Sequence, residues 1–471
     1  MLRCPFTRSA VPSTMLMIVG AAISVPPVAA LVTTAVAAPA AAQTRPASDC
    51  TPSVDAAARD AVLDELARKL ASDYAIAETA TKLSQAVRAK QKAGAYRNIT
   101  CAPQLARQLT VDLDAIAHDR HLHVDYSFDP VPPGPPGEPT PEEIAQLRKL
   151  NGMIPRVEVL DGNVGYLRVD GVPPLAAARD AIAAAFAFVH ETDALIIDDR
   201  ENHGGDPHTV ALYVSYLSAG KTHVVNTFHW RGGRVEEFST TELGELGYGA
   251  AKPVFVLTSP DTFSGGEELA YDLKVEKRAV VVGEVTGGGA NPGGPIALGH
   301  QFVVGMPSGQ AVNPVTGGSW EGVGVQPDVA VPAARSLSTA HALAVDRLIA
   351  ATADPLARSL LEAVAMKIES LAEAQSPQGT RLGNAEIVGT YTVRVGQGAA
   401  VTILEKDGRL IQRVSGRSDV TLVRVGGNRY RLEGFPDGHF TSFRVKDGRT
   451  QMLREAPGAL PRIREKPPAG A

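Results

Sequence analysis

The stretch Pro253-Val254-Phe255-Val256-Leu257-Thr258-Ser259-Pro260-Asp261-Thr262-Phe263-Ser264-Gly265-Gly266-Glu267-Glu268 reads as three elements in succession. Residues 253–258 are a short continuous apolar run, the mark of a strand buried on both faces of a sheet. Proline, aspartate and threonine then turn the chain, and Ser264 opens a helix over 264–276. The same rhythm recurs on either side. Residues 157–160 and 164–169 are strands joined by the hairpin pair Asp161-Gly162. An alanine-rich helix follows over 175–190, then a second buried strand over 194–198, a helix over 208–218 and a strand over 279–283. This alternation predicts an α/β layer structure with a largely parallel sheet.

Two units flank that core. Within residues 53–118, Val62, Leu63, Leu66 and Leu70 recur at helical spacing, as do Leu105, Leu109, Leu113 and Ile116. The region ends in the cluster His118, Asp119, Arg120, His121, Leu122, His123. A Pro/Gly-rich stretch over 129–141 reads as an exposed loop, with a short helix over 141–150 behind it. Past the core, residues 336–374 are helical. Turn signals at Asp407-Gly408, Gly426-Gly427, Asp437-Gly438 and Asp447-Gly448 then indicate an antiparallel β-domain. The expected organisation is a signal peptide over 1–42, a helical domain over 43–128 and a Pro-rich loop with a short helix over 129–153. An α/β core over 154–350, a helical linker over 351–382 and a β-domain over 383–465 complete it.

Composition narrows the function. The chain has 471 residues, 44% of them hydrophobic, and a formal net charge of −5. It carries no basic run of the kind that holds nucleic acid. Arg3 and Arg8 precede an apolar stretch over 15–32 broken by Pro26 and Pro27, and Ala40 to Ala42 suit signal peptidase. A transmembrane anchor is the competing reading, but the prolines and alanines favour cleavage after Ala42. The expectation is export to the periplasm or beyond, with no stable membrane span after cleavage. Of the three cysteines, Cys4 leaves with the signal. Cys50 and Cys101 are expected to pair in an oxidising compartment, for roughly 3–4 kcal/mol of stabilisation.

Two segments could carry chemistry. At the opening of a helix, Ser264 and the N–H of Gly265 would face the positive helix end, where negative charge is stabilised. The competing reading makes Ser264 a helix cap, with Glu267 completing a capping box. Asp198-Asp199-Arg200-Glu201-Asn202-His203-Gly204-Gly205 follows a buried strand, at the sheet end where open α/β folds bind ligands. Its glycines could aim N–H groups outward or form an ordinary loop, and Arg200 reads as a maker of structural pairs.

Residues 195–205 and 258–268 resemble the two signature segments of the tail-specific, or C-terminal-processing, protease superfamily. Gly283-Glu284-Val285-Thr286-Gly287-Gly288 and Glu321-Gly322-Val323-Gly324-Val325-Gln326-Pro327-Asp328 extend the match in the expected order, over roughly 155–345. The resemblance implies a ClpP/crotonase-like layered core and a serine peptidase whose nucleophile is Ser264. Gly204 or Gly205, with Gly265, would form the oxyanion hole. Where one branch of the superfamily has a catalytic lysine, this chain has Gly289, and no lysine occurs between Lys277 and Lys367. The chain is more similar to the tricorn core protease and the repeats of interphotoreceptor retinoid-binding protein. That branch implies His121 as base, with His123 and His118 as alternatives, and Glu321 in support, directly or through a water. Arg120 departs from the serine that precedes the histidine in tricorn. Only residues 124–155 separate helical region and core, too few for the PDZ domain of tail-specific members. A peptide or protein substrate is implied, with no cofactor, no metal and no stated oligomeric state. An apolar-ligand-binding protein on the same fold, or a small-substrate esterase or amidase, remains the alternative.

Overall fold

The computed structural model describes residues 52–131, 137–218, 221–375 and 381–465. The signal segment, Cys50 and part of the Pro-rich loop lie outside the described residues. Cys101 is disulfide-bonded. Residues 52–54 run beside 100–102, with Val54 N–H donating to the Thr100 carbonyl and Ala102 N–H to that of Pro52.

The chain opens with helices α1 (Ala56–Asp73), α2 (Ala77–Lys92) and α3 (Ala102–Ala117), then strand β1 (His123–Tyr126) and helix α4 (Pro141–Arg148). Asp55 caps α1 and a Thr140/Glu143 capping box starts α4. The core follows as β2 (Arg156–Leu160), β3 (Val164–Arg168), α5 (Leu175–Val189), β4 (Ala194–Asp198), α6 (Pro207–Leu217), β5 (Val224–Trp230) and β6 (Val235–Ser239). It continues as β7 (Val254–Thr258), α7 (Gly265–Val275), β8 (Val280–Gly283), β9 (Gly293–Gly299), β10 (Phe302–Pro307), β11 (Gly309–Val312) and β12 (Val329–Ala330). Helices α8 (Ala333–Ala351), α9 (Pro355–Gln375) and α10 (Asn384–Ile387) lead into the last unit.

Six strands form the main sheet in the order β12-β8-β7-β4-β3-β2, parallel throughout except for the β2–β3 hairpin. Every residue of β4 and β7 is buried, which is why those strands read as unbroken apolar runs. Val210, Val214, Leu269 and Leu273 of α6 and α7 belong to the apolar core on one face, with Ile182 and Phe186 of α5. Ala340, Ala344 and Val345 of α8 pack on the other with Tyr166, Ile196, Phe255 and Leu257. The crossovers therefore cover both faces, as parallel sheets require.

Two three-stranded sheets, β1-β10-β9 and β11-β5-β6, extend the core beyond what the sequence pattern indicated. The first closes the helical region: Leu298, Phe302, Val304 and Met306 share one apolar core with Leu66, Leu70, Leu105 and Leu109. The C-terminal unit holds β13 (Gly389–Val393), β14 (Val401–Lys406), β15 (Arg409–Val414), β16 (Val420–Gly426), β17 (Arg429–Leu432), β18 (Phe440–Lys446), β19 (Arg449–Glu455) and β20 (Arg462–Arg464). These close into an antiparallel barrel, whose pairing of β13 with β20 removes open sheet edges. Tyr391, Ile403, Leu410, Tyr430, Phe443 and Met452 are buried together in its core. Helix α9 holds it to the core through Ala363 and Met366 against Leu453. Among the described residues, no helix is long and apolar enough to cross a membrane.

Candidate active site

Strands β4, β7 and β8 are consecutive parallel neighbours, so the loops that leave their carboxyl ends meet at one place. The first loop carries Gly204 and Gly205, the second Ser264, and the third residues 286–291.

Ser264 stands at the turn from the β7 loop into α7 with φ 54° and ψ −122°, a conformation a non-glycine residue seldom holds. Its neighbours impose it. Phe263 N–H donates to the Asn202 carbonyl at 2.9 Å, and Gly266 N–H to the Phe263 carbonyl at 3.0 Å. Half of a capping box is present: the Ser264 N–H donates to Glu267 Oε2 at 3.0 Å. The Ser264 hydroxyl makes no cap bond. Glu267, fully buried, also accepts from Gly288 N–H at 2.6 Å, Gly289 N–H at 2.8 Å and the Thr286 hydroxyl. Burial pushes its carboxyl up and these bonds pull it back. One carboxylate thus ties the start of the nucleophile helix to the third loop.

The glycines press directly on the serine. A Cβ at Gly204 would fall 2.7 Å from Ser264 Cβ and 2.6 Å from Gly265 N. Gly204 and Gly205 have φ of 94° and 141°, so both loop positions favour glycine. The Gly204 N–H donates to Asn202 Oδ1 at 2.9 Å, which withdraws it from an oxyanion role. Among the described residues, no acceptor pairs with the N–H of Gly205 or Gly265, and an added Cβ at Gly265 would lie 3.0 Å from Gly205 N. Asn202 is itself held by Asp199, whose carboxyl burial drives well above the usual range.

The histidine reaches the same place from the helical region. Asp119, 2% exposed, follows the helix-capping His118 and accepts from the His121 N–H at 3.0 Å and the Tyr74 hydroxyl at 3.0 Å. The His121 ring lies 4.5 Å from the Phe263 ring, centroid to centroid. Its buried Nδ1 has no hydrogen-bond partner and sits 4.0 Å from Asp119 Oδ1. Burial holds the imidazole below the usual histidine value, while Asp119 pulls the other way. His123 donates from Nδ1 to the His121 carbonyl at 2.9 Å, bracing that backbone. Among the described residues no hydrogen bond joins Ser264 to His121; Phe263, the residue before Ser264, makes the contact with the His121 ring.

Glu321 braces the third loop, which carries Gly289, from outside it. Glu321 Oε2 accepts from the N–H groups of Ala290 at 2.6 Å and Asn291 at 2.9 Å. Burial, then the Asp119 carboxylate, push its carboxyl up to about 7, against the pull of those two bonds. Its hydrogen bonds go to the loop backbone, and the carboxylate facing His121 is Asp119, which sequence reading left without a role. At Gly289 a Cβ would fall 2.3 Å from the Phe263 ring and 2.8 Å from His121 Cε1. Phe263 and His121 fill the space that a lysine stem would need. Lys274 is paired with Asp328 at 2.8 Å. Arg200 pairs with Asp198 at 2.6 Å and donates to the Ala333 carbonyl at 2.7 Å, a structural use. Arg120, exposed, lies 4.7 Å over the Phe263 ring and donates to the Gly287 carbonyl at 3.2 Å. Among the described residues, no three His, Cys, Asp or Glu side chains are grouped to hold a metal ion.

Residues 56–161 match the N-terminal domain of Peptidase_S41 in eukaryotic IRBP, and residues 163–331 match peptidase family S41. Among solved structures, the photosystem II D1 C-terminal processing protease is 24% identical, over 36% of this chain and 42% of its own, with a TM-score of 0.30. The chain therefore spans less than half the length of that protein. Mature CPAF is 14% identical over 64% of this chain and 98% of its own, TM-score 0.40. The tricorn protease is 14% identical over 66% of this chain and 37% of its own, TM-score 0.40. Residues 163–331 of this chain belong to peptidase family S41, and the segment before them is of the kind that precedes that domain in eukaryotic IRBP.

Proposed function

We propose that this chain is an exported serine peptidase that cleaves peptide bonds through an acyl-enzyme on Ser264. The observation that carries the reading is the junction of a strained, uncapped Ser264 with the two unpaired amides of Gly205 and Gly265. An uncapped hydroxyl at a helix start beside two free N–H groups is an arrangement for attacking a carbonyl and holding the resulting oxyanion.

In this mechanism His121, neutral at pH 7 because its pKa is depressed, accepts the Ser264 proton as Oγ bonds to the scissile carbonyl carbon. The carbonyl oxygen takes up the electron pair and is met by Gly205 and Gly265. Collapse breaks the C–N bond, and the imidazolium gives its proton to the leaving amine. Water, deprotonated by the same histidine, then releases the acid and restores Ser264. Asp119 steadies the imidazolium, needing only a small ring shift from 4.0 Å; catalytic hydrogen bonds commonly tighten in the substrate complex. Glu321 acts at one remove, fixing the backbone of Ala290 and Asn291 beneath the histidine.

Mass-spectrometric mapping of a diverse peptide mixture, beside a Ser264→Ala control, tests the reading. Cleavage by the unmodified protein alone is expected. Equal cleavage by the variant would remove Ser264 from its role, and cleavage by neither would favour the ligand-binding or the small-substrate esterase or amidase alternative. Export is checked separately, by N-terminal sequencing of the mature protein, expected to start after Ala42.

A further inference from the structure

The small sheet β1-β10-β9 has two unlike faces. Val124, Phe302, Val304 and Met306 point into the core shared with the helices. His123 and Asp125 pair with Gly305 and Val303, and Pro295 pairs with Gly305, so these residues share the opposite face. A cavity of about 210 Å³ lies there, with His121 among the residues that line it. Pro295, Val303 and Pro307 give it mostly apolar walls. A Cβ at Gly305 would fall 2.5 Å from the His123 ring, so glycine there lets that ring lie against the strand. The one carboxylate in the lining, Asp125, is 3.2 Å from His123 Nε2 and turned largely to solvent.

Size and position identify what such a cavity takes. Sites for whole small molecules run to roughly 300–1,000 Å³, so this one suits a single side chain. Its walls offer contact surface and few hydrogen-bonding groups. His121 must deliver its proton to the leaving amine, so the leaving half of a peptide passes the histidine. The cavity lies against that same residue.

We propose that this cavity is a substrate subsite for one uncharged aliphatic side chain, of valine, leucine or methionine size, in the leaving half of the peptide. The proposal rests on the Ser264–His121 reading and specifies its substrate class. Val303, half-buried on the open face, sets the width of the subsite.

The test is cleavage-site mapping of a randomised peptide mixture by the full mature chain and by its Val303→Phe and Val303→Ala forms. Leucine, methionine and valine should be enriched at one position C-terminal to the cut bond. Val303→Phe should lower kcat/KM for the leucine peptide about 10- to 200-fold, the span of a one-group misfit in an apolar pocket. Far-UV circular dichroism and thermal unfolding that match the unmodified protein should show that the variant is folded. Val303→Ala should admit phenylalanine at that position. Enrichment on the N-terminal side, preference for a charged residue, or identical maps for all three proteins would overturn the subsite while leaving the peptidase reading intact. An unmodified protein that cleaves nothing would overturn both.

Discussion

At the scale of single residues, the site depends on groups that have no motif of their own. The strand, turn and helix around Ser264 were legible in sequence, whereas the catalytic roles given to Ser264 and its glycines rest on the family resemblance. The parts played by Asp119 and Asn202 were not legible, although each bonds a residue only two positions on, His121 and Gly204, because no pattern of residue types marks such a pair; Glu267 was legible as a capping residue, but its hold on the 286–289 loop comes only with folding. Asp119 should prove a positioning residue. Asp119→Asn is expected to lower kcat/KM by about 10²–10⁴. It should also move the acid limb of the pH profile downward, because the Asp119 charge raises the His121 pKa. An unshifted limb would leave Asp119 a merely structural acid. Gly289 makes the complementary point. Gly289→Ala drives a methyl into Phe263 and His121 and should cost about 1–3 kcal/mol of stability. Loss of activity should accompany it, read by denaturant titration and peptide cleavage.

At the scale of elements, the strands that read most clearly were β4 and β7, buried on both faces and hence unbroken apolar runs. Residues 293–312 went unread because Gly293, Gly294, Pro295 and Gly299 give a strand the composition of a loop. Glycine is tolerated there because the partner backbone comes close: a Cβ at Gly293 would collide with the Met306 carbonyl. Arg200, at the end of β4, is expected to hold structure. Burial raises the Asp198 carboxyl, yet the bonds from Arg200 and Tyr166 leave it below its usual value. Arg200→Met strands that buried charge and should cost about 3–5 kcal/mol, measured by urea unfolding. A loss below about 1 kcal/mol would mean the pair behaves as a surface ion pair. Glu321 gives the opposite pH sign. The folded protein keeps its proton up to about 7, whereas the unfolded chain releases it near 4.5. Between those values the folded state binds more protons, so stability falls as pH rises and then levels. Glu321→Gln should flatten that part of the stability curve between about pH 5 and about pH 8.

At the scale of the whole molecule, the helical region and the α/β core share their strands. Helices α1 and α3 were legible from their 3.6-residue periodicity. Their dependence on β9 and β10 was not, because it joins residues nearly two hundred positions apart, such as Leu105 and Phe302. This arrangement carries His121 to Phe263, the neighbour of Ser264, since β1 is both the continuation of the helical region and the partner of β10. Phe302→Ala, at a position 1% exposed, should cost about 3–5 kcal/mol. It should also loosen amide exchange in α1 and α3 together with β10; protection lost in β10 alone would mean the two parts fold independently. The C-terminal fold was legible as antiparallel hairpins from their Asp-Gly and Gly-Gly turns, but not as a closed barrel. Closure rests on the pairing of β13 with β20, which no local signal announces.

The most direct measurement is reaction of the mature protein with a serine-directed phosphonate, followed by peptide mapping of the adduct. The expected result is a single adduct on Ser264, slowed on the order of 10²-fold or more by His121→Ala. An adduct on another serine, or labelling of Ser264 indifferent to His121, would contradict the nucleophile–base pair on which the proposed chemistry depends.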